Sequence, residues 1–205
     1  MVYSKTRRNH MKRCSIIFHS VCGNTYIIAS AFQEALKKRG LDARLYRVDD
    51  PDHHIWANKL EIANEFYEEI LELPIANSET LLKSDLIILG SPTYFANMSA
   101  EMKQFIDYSS IYFDDGKLTG KYFACFTSCS YATGGGMLCL QSLIHYAQHM
   151  GLIHIPLGRQ VDHIDSKQPV SGILHCSGRE SNVRPSDKLG KALEYYADIL
   201  AEAVR

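Results

Sequence analysis

Short continuous apolar runs alternate with longer stretches of helical spacing along this chain, and they do so five times. That rhythm predicts a parallel β-sheet with crossover helices. The first run, Cys14 to His19, is followed by a polar turn and then by Ile27, Ile28, Ala31, Phe32, Ala35 and Leu36, whose spacing makes one apolar helix face. Gly40 closes that helix. The second run, Ala43 to Val48, is interrupted by Arg44 and Arg47, as suits an edge strand with one wet side. From Ile55 to Leu73, residues Trp56, Leu60, Ala63, Phe66, Tyr67, Ile70 and Leu71 recur at helical intervals and predict one extra helix, ahead of a short one at 78–83. Leu86 to Leu89 is unbroken aliphatic sequence, the mark of a central strand covered on both faces. Met98, Met102, Phe105 and Ile106 define the next helix, and Tyr122 to Phe126 the fourth strand. Leu140, Leu143, Ile144 and Ala147 give a further helix, Leu152 to Ile155 the fifth strand, and Leu189, Leu193, Tyr196, Ala197 and Leu200 the closing helix. Residues 157–184 read as a long irregular connection, of the kind that is functional or partly disordered.

Composition narrows the class. The 205 residues suit one compact domain, and 46% hydrophobic content is enough for a sizeable core. Lys plus Arg (22) nearly balance Asp plus Glu (23), so nothing in the overall charge favours nucleic acid. The concentrated basic stretch, Lys5 to Arg13, predicts a disordered extension over 1–12, with a single domain over 13–205. The first apolar run is too short for a signal peptide or membrane span, so a soluble cytoplasmic protein is expected. Six cysteines without a C-x-x-C pair point to reduced thiols.

In a doubly wound sheet of order 2-1-3-4-5, a ligand sits outside the carboxyl ends of the strands where the order reverses, between strands 1 and 3. Three unusual loops fall there. The loop after strand 1, Ser20, Val21, Cys22, Gly23, Asn24 and Thr25, either caps the helix that follows or offers its free N–H groups to a phosphate. Cys22, beside the expected phosphate at that helix N-terminus, either has a lowered pKa or is simply a tolerated small side chain. The loop after strand 3, Pro92, Thr93, Tyr94, Phe95, Ala96 and Asn97, places two aromatic residues on a solvent-facing turn, where they pack on the next helix or meet a flat ligand. The loop after strand 4 runs from Thr127 through Ser128, Cys129 and Thr133 to Gly134, Gly135 and Gly136, a flexible turn or a place of close backbone approach. A phosphate-bearing planar cofactor fits all three. His145 and His149 stand four apart on one helix, but no third ligand is predicted beside them and no metal is expected.

The run GSPTYFANMSAEMKQFID (90–107), TGGG (133–136), AQHMGLIHIPLG (147–158) and the tail SGRESNVRPSDKLGKALEYYADILA resemble the flavodoxin-like NAD(P)H:quinone oxidoreductases, the tryptophan-repressor-binding-protein family. The resemblance covers most of 13–202 and implies an α/β flavodoxin-like three-layer fold, FMN as cofactor, NADH or NADPH as electron donor, a quinone-like small molecule as acceptor, and a homo-oligomer, dimer or tetramer. By similarity, Ser20 to Thr25 would hold the FMN phosphate. Pro92, Thr93, Tyr94, Phe95 and Asn97 would flank the isoalloxazine, and Ser128, Thr133, Gly134 and Gly135 would hydrogen-bond the ring and ribityl chain. His149 would lie over the ring as the candidate catalytic residue, contacting the acceptor or steadying developing negative charge. This chain departs from the family in carrying Tyr94 where an Arg is usual, in a third loop longer by two residues, and in the segment 51–77. The alternatives are a non-enzymatic flavodoxin-type electron carrier and a flavin-free interaction or regulatory protein on the same scaffold.

Overall fold

The structure, a computed structural model, describes residues 11–158 and 167–205. Residues 1–10 of the expected basic extension, and 159–166 of the long connection, lie outside the described residues. Lys12 is tied to Asp85 at 3.4 Å, and Arg13 opens the first strand.

The strands are β1 (Arg13–Phe18), β2 (Asp42–Arg47), β3 (Leu86–Tyr94), β4 (Asn97–Met98), β5 (Tyr122–Cys129), β6 (Ile153–His154) and β7 (Ile173–Cys176). The helices are α1 (Asn24–Lys38), α2 (His53–Lys59), α3 (Glu61–Asn64), α4 (Tyr67–Glu72), α5 (Ser78–Leu82), α6 (Ala100–Tyr108), α7 (Gly136–His149) and α8 (Asp187–Val204). The sheet runs β2-β1-β3-β5-β6, parallel throughout. The antiparallel partner β4 only folds back on the end of β3. With that hairpin set aside, the order is the expected 2-1-3-4-5 of a flavodoxin-like fold.

Alternation along the central strands builds two cores. Ile16, Phe18, Leu86, Ile88, Ala124 and Phe126 face one side, under α1 and α8. Ile17, Ile87, Leu89, Phe123 and Cys125 face the other, under α6 and α7. Side chains on successive residues leave opposite faces of a strand, so an unbroken aliphatic run feeds both layers at once. Arg39 of α1 clasps α8 through Glu194 at 2.6 Å and Asp198 at 2.7 Å. Among the described residues, no helix is long and apolar enough to cross a membrane.

Two expectations need correction. The fifth sheet position is filled by two short strands in tandem. β6 pairs the start of β5 (Tyr122↔Ile153, Phe123↔His154) and β7 pairs its end, from Phe126↔Ile173 to Cys129↔Cys176. The expected strand Leu152 to Ile155 is thus only its first half, and the second half lies within the stretch read as irregular. Four residues, ILHC, are too few to display a period against the surrounding Gly and Pro. The single helix expected from Ile55 to Leu73 is instead three short ones, broken where Leu60 (φ −125°, ψ 112°) and Phe66 (φ −125°, ψ 18°) leave helical geometry. The breaks let the segment bend around the β1–α1 loop, burying Ala57, Ala63 and Ile70 while Trp56 and Leu60 stay exposed.

Candidate functional site

The carboxyl ends of β1, β3 and β5 bring the three loops together. Helix α1 starts at Gly23, which sits at φ +83°, and no side chain caps it. Apart from the Tyr26 amide, which donates to Ser20, the amides of Asn24 and Thr25 at its start face outward toward another acceptor. Ser20 Oγ accepts from the Tyr26 amide at 3.2 Å, which bends the loop over the helix start. The Val21 carbonyl faces His53 Nε2 at 3.4 Å, and the Cys22 carbonyl accepts from Arg184 Nη1 at 2.5 Å. Arg184 also pairs with Glu65 and lies over the Phe66 ring. A Cβ on Gly23 would come within 2.3 Å of Phe66 Cδ2. The segments 53–66 and 181–184 thus clamp this loop from both sides. Asn24 Nδ2 donates to the Ser181 carbonyl at 2.7 Å, while Asn24 Oδ1 is buried with no partner among the described residues.

The second loop is a tight hairpin. Tyr94 pairs with Asn97 across Phe95 and Ala96, both at positive φ (+50° and +64°). Two-residue hairpins favour this twist, but non-glycine residues hold it at a cost. Phe95 is fully exposed at the tip. At the stem, Thr93 Oγ1 meets Thr127 Oγ1 at 2.8 Å, and Thr127 Oγ1 reaches the Ser91 carbonyl at 2.7 Å. The Tyr94 ring is half-exposed, yet burial of its phenol, then the nearby Cys22, Glu101 and Asp50, push its pKa well up, so it stays protonated.

The third loop closes on the second. Gly135, at φ +85°, starts α7, and a Cβ there would lie 2.4 Å from the Ala96 Cβ. The Gly134 amide donates to the Tyr131 carbonyl at 2.8 Å, Thr133 is exposed, and Ser128 pairs in register with Pro92. A cavity of about 60 Å3 lies where the three loops meet, lined by Ser20, Asn24, Thr25, Thr93, Ser128 and Ser130, with Ser177 and Ser181 from the last segment. It has room for a few water-sized groups, the scale of a phosphate and not of a fused-ring system. Among the described residues, no Lys or Arg lines it. A groove of about 820 Å3 opens beside it, sharing Cys22 and Ser181, between 59–65 and 179–182.

Beneath the hairpin lies a buried polar network. His19 Nε2 pairs with Asp50 Oδ2 at 3.0 Å and His19 Nδ1 with Ser99 Oγ at 2.9 Å, while Ser99 caps α6 by accepting from the Met102 amide. The Ser99 amide in turn donates to Ser91 Oγ, joining the two feet of the hairpin. Burial pushes the Asp50 carboxyl up, but the hydrogen bond and charge of His19, the charge of His53 and the Asp52 amide together hold it below its ordinary value. With Glu101, His19 and Asp50 place ligand-type atoms within 4.8 Å of one another. Both imidazole nitrogens are already engaged by Asp50 and Ser99.

Of the residues singled out in the sequence, Ser20 to Thr25, Phe95 to Asn97 and Thr133 to Gly135 fall at these three turns, whereas Pro92 to Tyr94 and Ser128, expected in loops, belong to the ends of β3 and β5, which stay paired in register past their apolar runs. His149 does not join them. It is exposed at the last residue of α7, about 20 Å of helix rise from the glycine end that faces the loops. Cys22 also departs from expectation. Burial raises its pKa, and the Ser181 hydrogen bond and Arg184 charge only partly offset that, so the thiol is not activated. Ser177, Ser181, His53, Phe66 and Arg184 went unseen in the sequence, because nothing in their spacing ties them to the β1–α1 loop.

Comparison with known proteins gives the family. The family model for NADPH-dependent FMN reductase matches residues 17–163. A protein of Archaeoglobus fulgidus named NAD(P)H dehydrogenase (quinone) is 35% identical over 157 residues, covering 74% of this chain and 80% of the relative. One of the same name from Syntrophobacter fumaroxidans is 29% identical over 198 residues, covering 93% and 96%. Among solved structures, a WrbA-like flavodoxin from Agrobacterium tumefaciens superposes with a TM-score of 0.63 at 22% identity, over 95% of this chain and 98% of the other, which speaks to the fold. The fold, the meeting of the three loops and these matches agree: the chain belongs to the NADPH-dependent FMN reductase family.

Proposed function

We propose that the protein is an FMN-dependent oxidoreductase that passes electrons from NAD(P)H to a quinone-like acceptor, with FMN held by the three loops at the switch point of the sheet. The observation that carries this reading is the hydroxyl-lined cavity at the start of α1, set beside an exposed aromatic hairpin. A flavin supplies hydride acceptance and onward electron transfer, leaving binding, orientation and electrostatics to the chain. Ser20, Thr25, Ser128 and Ser130, with the amides of Asn24 and Thr25 at the start of α1, would hold the phosphate of FMN. Tyr94, Phe95 and the glycines at 134 and 135 would border its ring system, at a surface that donor and acceptor can reach. The protonated Tyr94 phenol keeps a neutral hydrogen-bond donor at that border.

The NAD(P)H and quinone preference is supported by the names of the relatives, and a cytoplasmic location by six unpaired cysteines. A homo-oligomer is supported by the exposed apolar side chains of Phe95, Tyr131, Met137 and Leu138 around the start of α7. In that reading His149 serves a neighbouring protomer's site, and His149→Ala should raise the quinone KM without changing FMN affinity; an unchanged KM removes it from the site.

The test is titration of the purified protein with FMN, followed by anaerobic NADH or NADPH and then a benzoquinone. Binding, bleaching of the flavin and recovery by quinone are expected. Binding without bleaching would make the protein an electron carrier, and absence of binding would end the flavoprotein reading.

A further inference from the structure

Two thiols lie side by side at the root of the third loop. Cys129 is the last residue of β5, Cys176 is the last of β7, and the two are register partners. Register partners on neighbouring strands project to the same face with backbones about 4.8 Å apart. A disulfide spans Cα separations of roughly 4.4–6.8 Å, so this pair meets its distance requirement without moving either strand. The thiols differ in access: Cys129 is buried and Cys176 half-buried. Burial, followed by the charge and hydrogen bond of the Cys176 thiol, pushes the Cys129 pKa up to about 12, so Cys129 rests as the neutral thiol. The other cysteines lack such a neighbour on an accessible surface. Cys14, Cys125 and Cys139 are buried, and half-buried Cys22 borders Ser181 and Arg184.

We propose that Cys129 and Cys176 are a redox modification site, closing to a reversible disulfide that loosens the loop carrying Gly134 and Gly135. The oxidant is a low-molecular-weight disulfide such as oxidised glutathione. The Cys176 thiolate attacks one sulfur of it, forming a mixed disulfide and expelling one glutathione thiolate. Cys129, giving up its proton, attacks the Cys176 sulfur and expels the second. Two protein thiols become one disulfide, one external disulfide becomes two thiols, and the two protons end on the departing glutathiones.

The structural consequence follows from what Cys129 now holds. Its thiol contacts the Tyr131 carbonyl at 3.1 Å, and its own carbonyl accepts from the Ser177 amide at 2.8 Å. Turning the sulfur toward Cys176 releases Tyr131, two residues into the loop, while Cys129 itself and Ser177 line the small cavity. The effect on FMN rests on the function proposed above; the disulfide does not.

The experiment incubates the full chain with oxidised glutathione, quenches with acid and N-ethylmaleimide, and maps peptides by mass, with FMN affinity measured on the same samples. Expected is a linked pair of peptides holding 129 and 176, two hydrogens lighter than their sum, undone by dithiothreitol and absent from Cys176→Ser. Cys129→Ser should instead stop at a glutathione adduct on Cys176. FMN binding to the oxidised protein should weaken about threefold to tenfold, the range one lost hydrogen bond commands, with no change in Cys176→Ser under the same treatment. Finding both cysteines free, or separately glutathionylated, after Cys22 has reacted would overturn the disulfide. Disulfide formation with unchanged FMN affinity would overturn the coupling. If FMN binds neither state, the flavin reading and the coupling fall together, while the peptide map still decides the disulfide.

Discussion

The loop from Ser20 to Thr25 and the hairpin from Pro92 to Met98 leave neighbouring strands at the same rim, yet they are built in opposite ways. The first is buried and held from outside: His53 and Arg184 face its carbonyls, Phe66 presses on Gly23, and Ser181 takes the Asn24 amide. The second is held at its feet by Ser91, Ser99 and His19, at its stem by Thr127 and on one side by Gly135 against Ala96, while Phe95 at its tip stands in solvent at positive φ. A ligand spanning the two meets a rigid, polar end and an accessible, apolar one. Anchoring is thus separated from exchange, and damage at the two ends should show in different measurements.

Gly23→Val attacks the buried end and should have the largest effect. Its Cβ would meet Phe66 while the backbone is left-handed, so a loss of about 2–4 kcal/mol in denaturant stability is expected, together with loss of FMN binding. Adding Phe66→Ala should restore the steric part only. Full recovery would show that the positive φ costs nothing, and no recovery that Phe66 is not the obstacle.

Gly135→Ala pushes the third loop against the hairpin, with its Cβ 2.4 Å from Ala96 Cβ and 2.6 Å from its Cα. A smaller loss of about 1–3 kcal/mol is expected, with FMN affinity falling further than stability alone explains. Equal loss of both would mean the glycine serves folding only.

Acid should reach the buried end first. Burial lowers the pKa of His53, the Val21 carbonyl and Asp50 charge offset only part of it, and the charges of His19 and Arg47 add to it; burial likewise lowers His175, with the Val183 carbonyl opposing and Arg184 adding. A histidine whose folded pKa is depressed takes up its proton more readily when unfolded. Stability is therefore complete above the unfolded pKa near 6.5 and falls as pH drops below it, by up to about 1.4 kcal/mol per pH unit for each such histidine until its folded pKa is passed. Asp50, also lowered, adds loss of the same sign beneath pH 3.8. Denaturant melts from pH 7.5 to 5 should show this slope and His53→Gln should reduce it; an unaltered slope would remove His53 from the account.

Phe95→Ala should be nearly silent in stability, within about 0.5 kcal/mol, because the ring touches solvent alone. Its effect should appear in FMN affinity or acceptor KM. If neither moves, the exposed ring has no part in the site.

Much of this arrangement is legible in the sequence because β1, β3 and β5 open on strongly apolar runs that fix where each strand starts; β3 and β5 then run on to Tyr94 and Cys129, past the expected Leu89 and Phe126, because their ends carry polar residues that turn toward the loops. The parts that were not legible depend on contacts between segments far apart in the chain. Phe66 looked like one more apolar position on a straight helix, whereas it breaks the helix and covers Gly23. Cys129 stands beside Cys176, on a strand too short to show a period. His19 read as the end of an apolar run, and its bond to Asp50 required knowing that β1 and β2 are adjacent. Periodicity reports which face a residue takes within its element; it says nothing of which distant residue it faces.

Among the described residues, the small cavity is lined by hydroxyl- and amide-bearing residues and by no lysine or arginine. Attraction of that kind acts at contact. A cation patch would draw an anion through solution, and dissolved ions would weaken it beyond a screening distance of about 8 Å at physiological ionic strength. Donors that act at contact leave little for those ions to screen. Cofactor retention at this end should therefore vary little with salinity, and the rate at which the empty protein captures its cofactor should gain nothing from long-range steering.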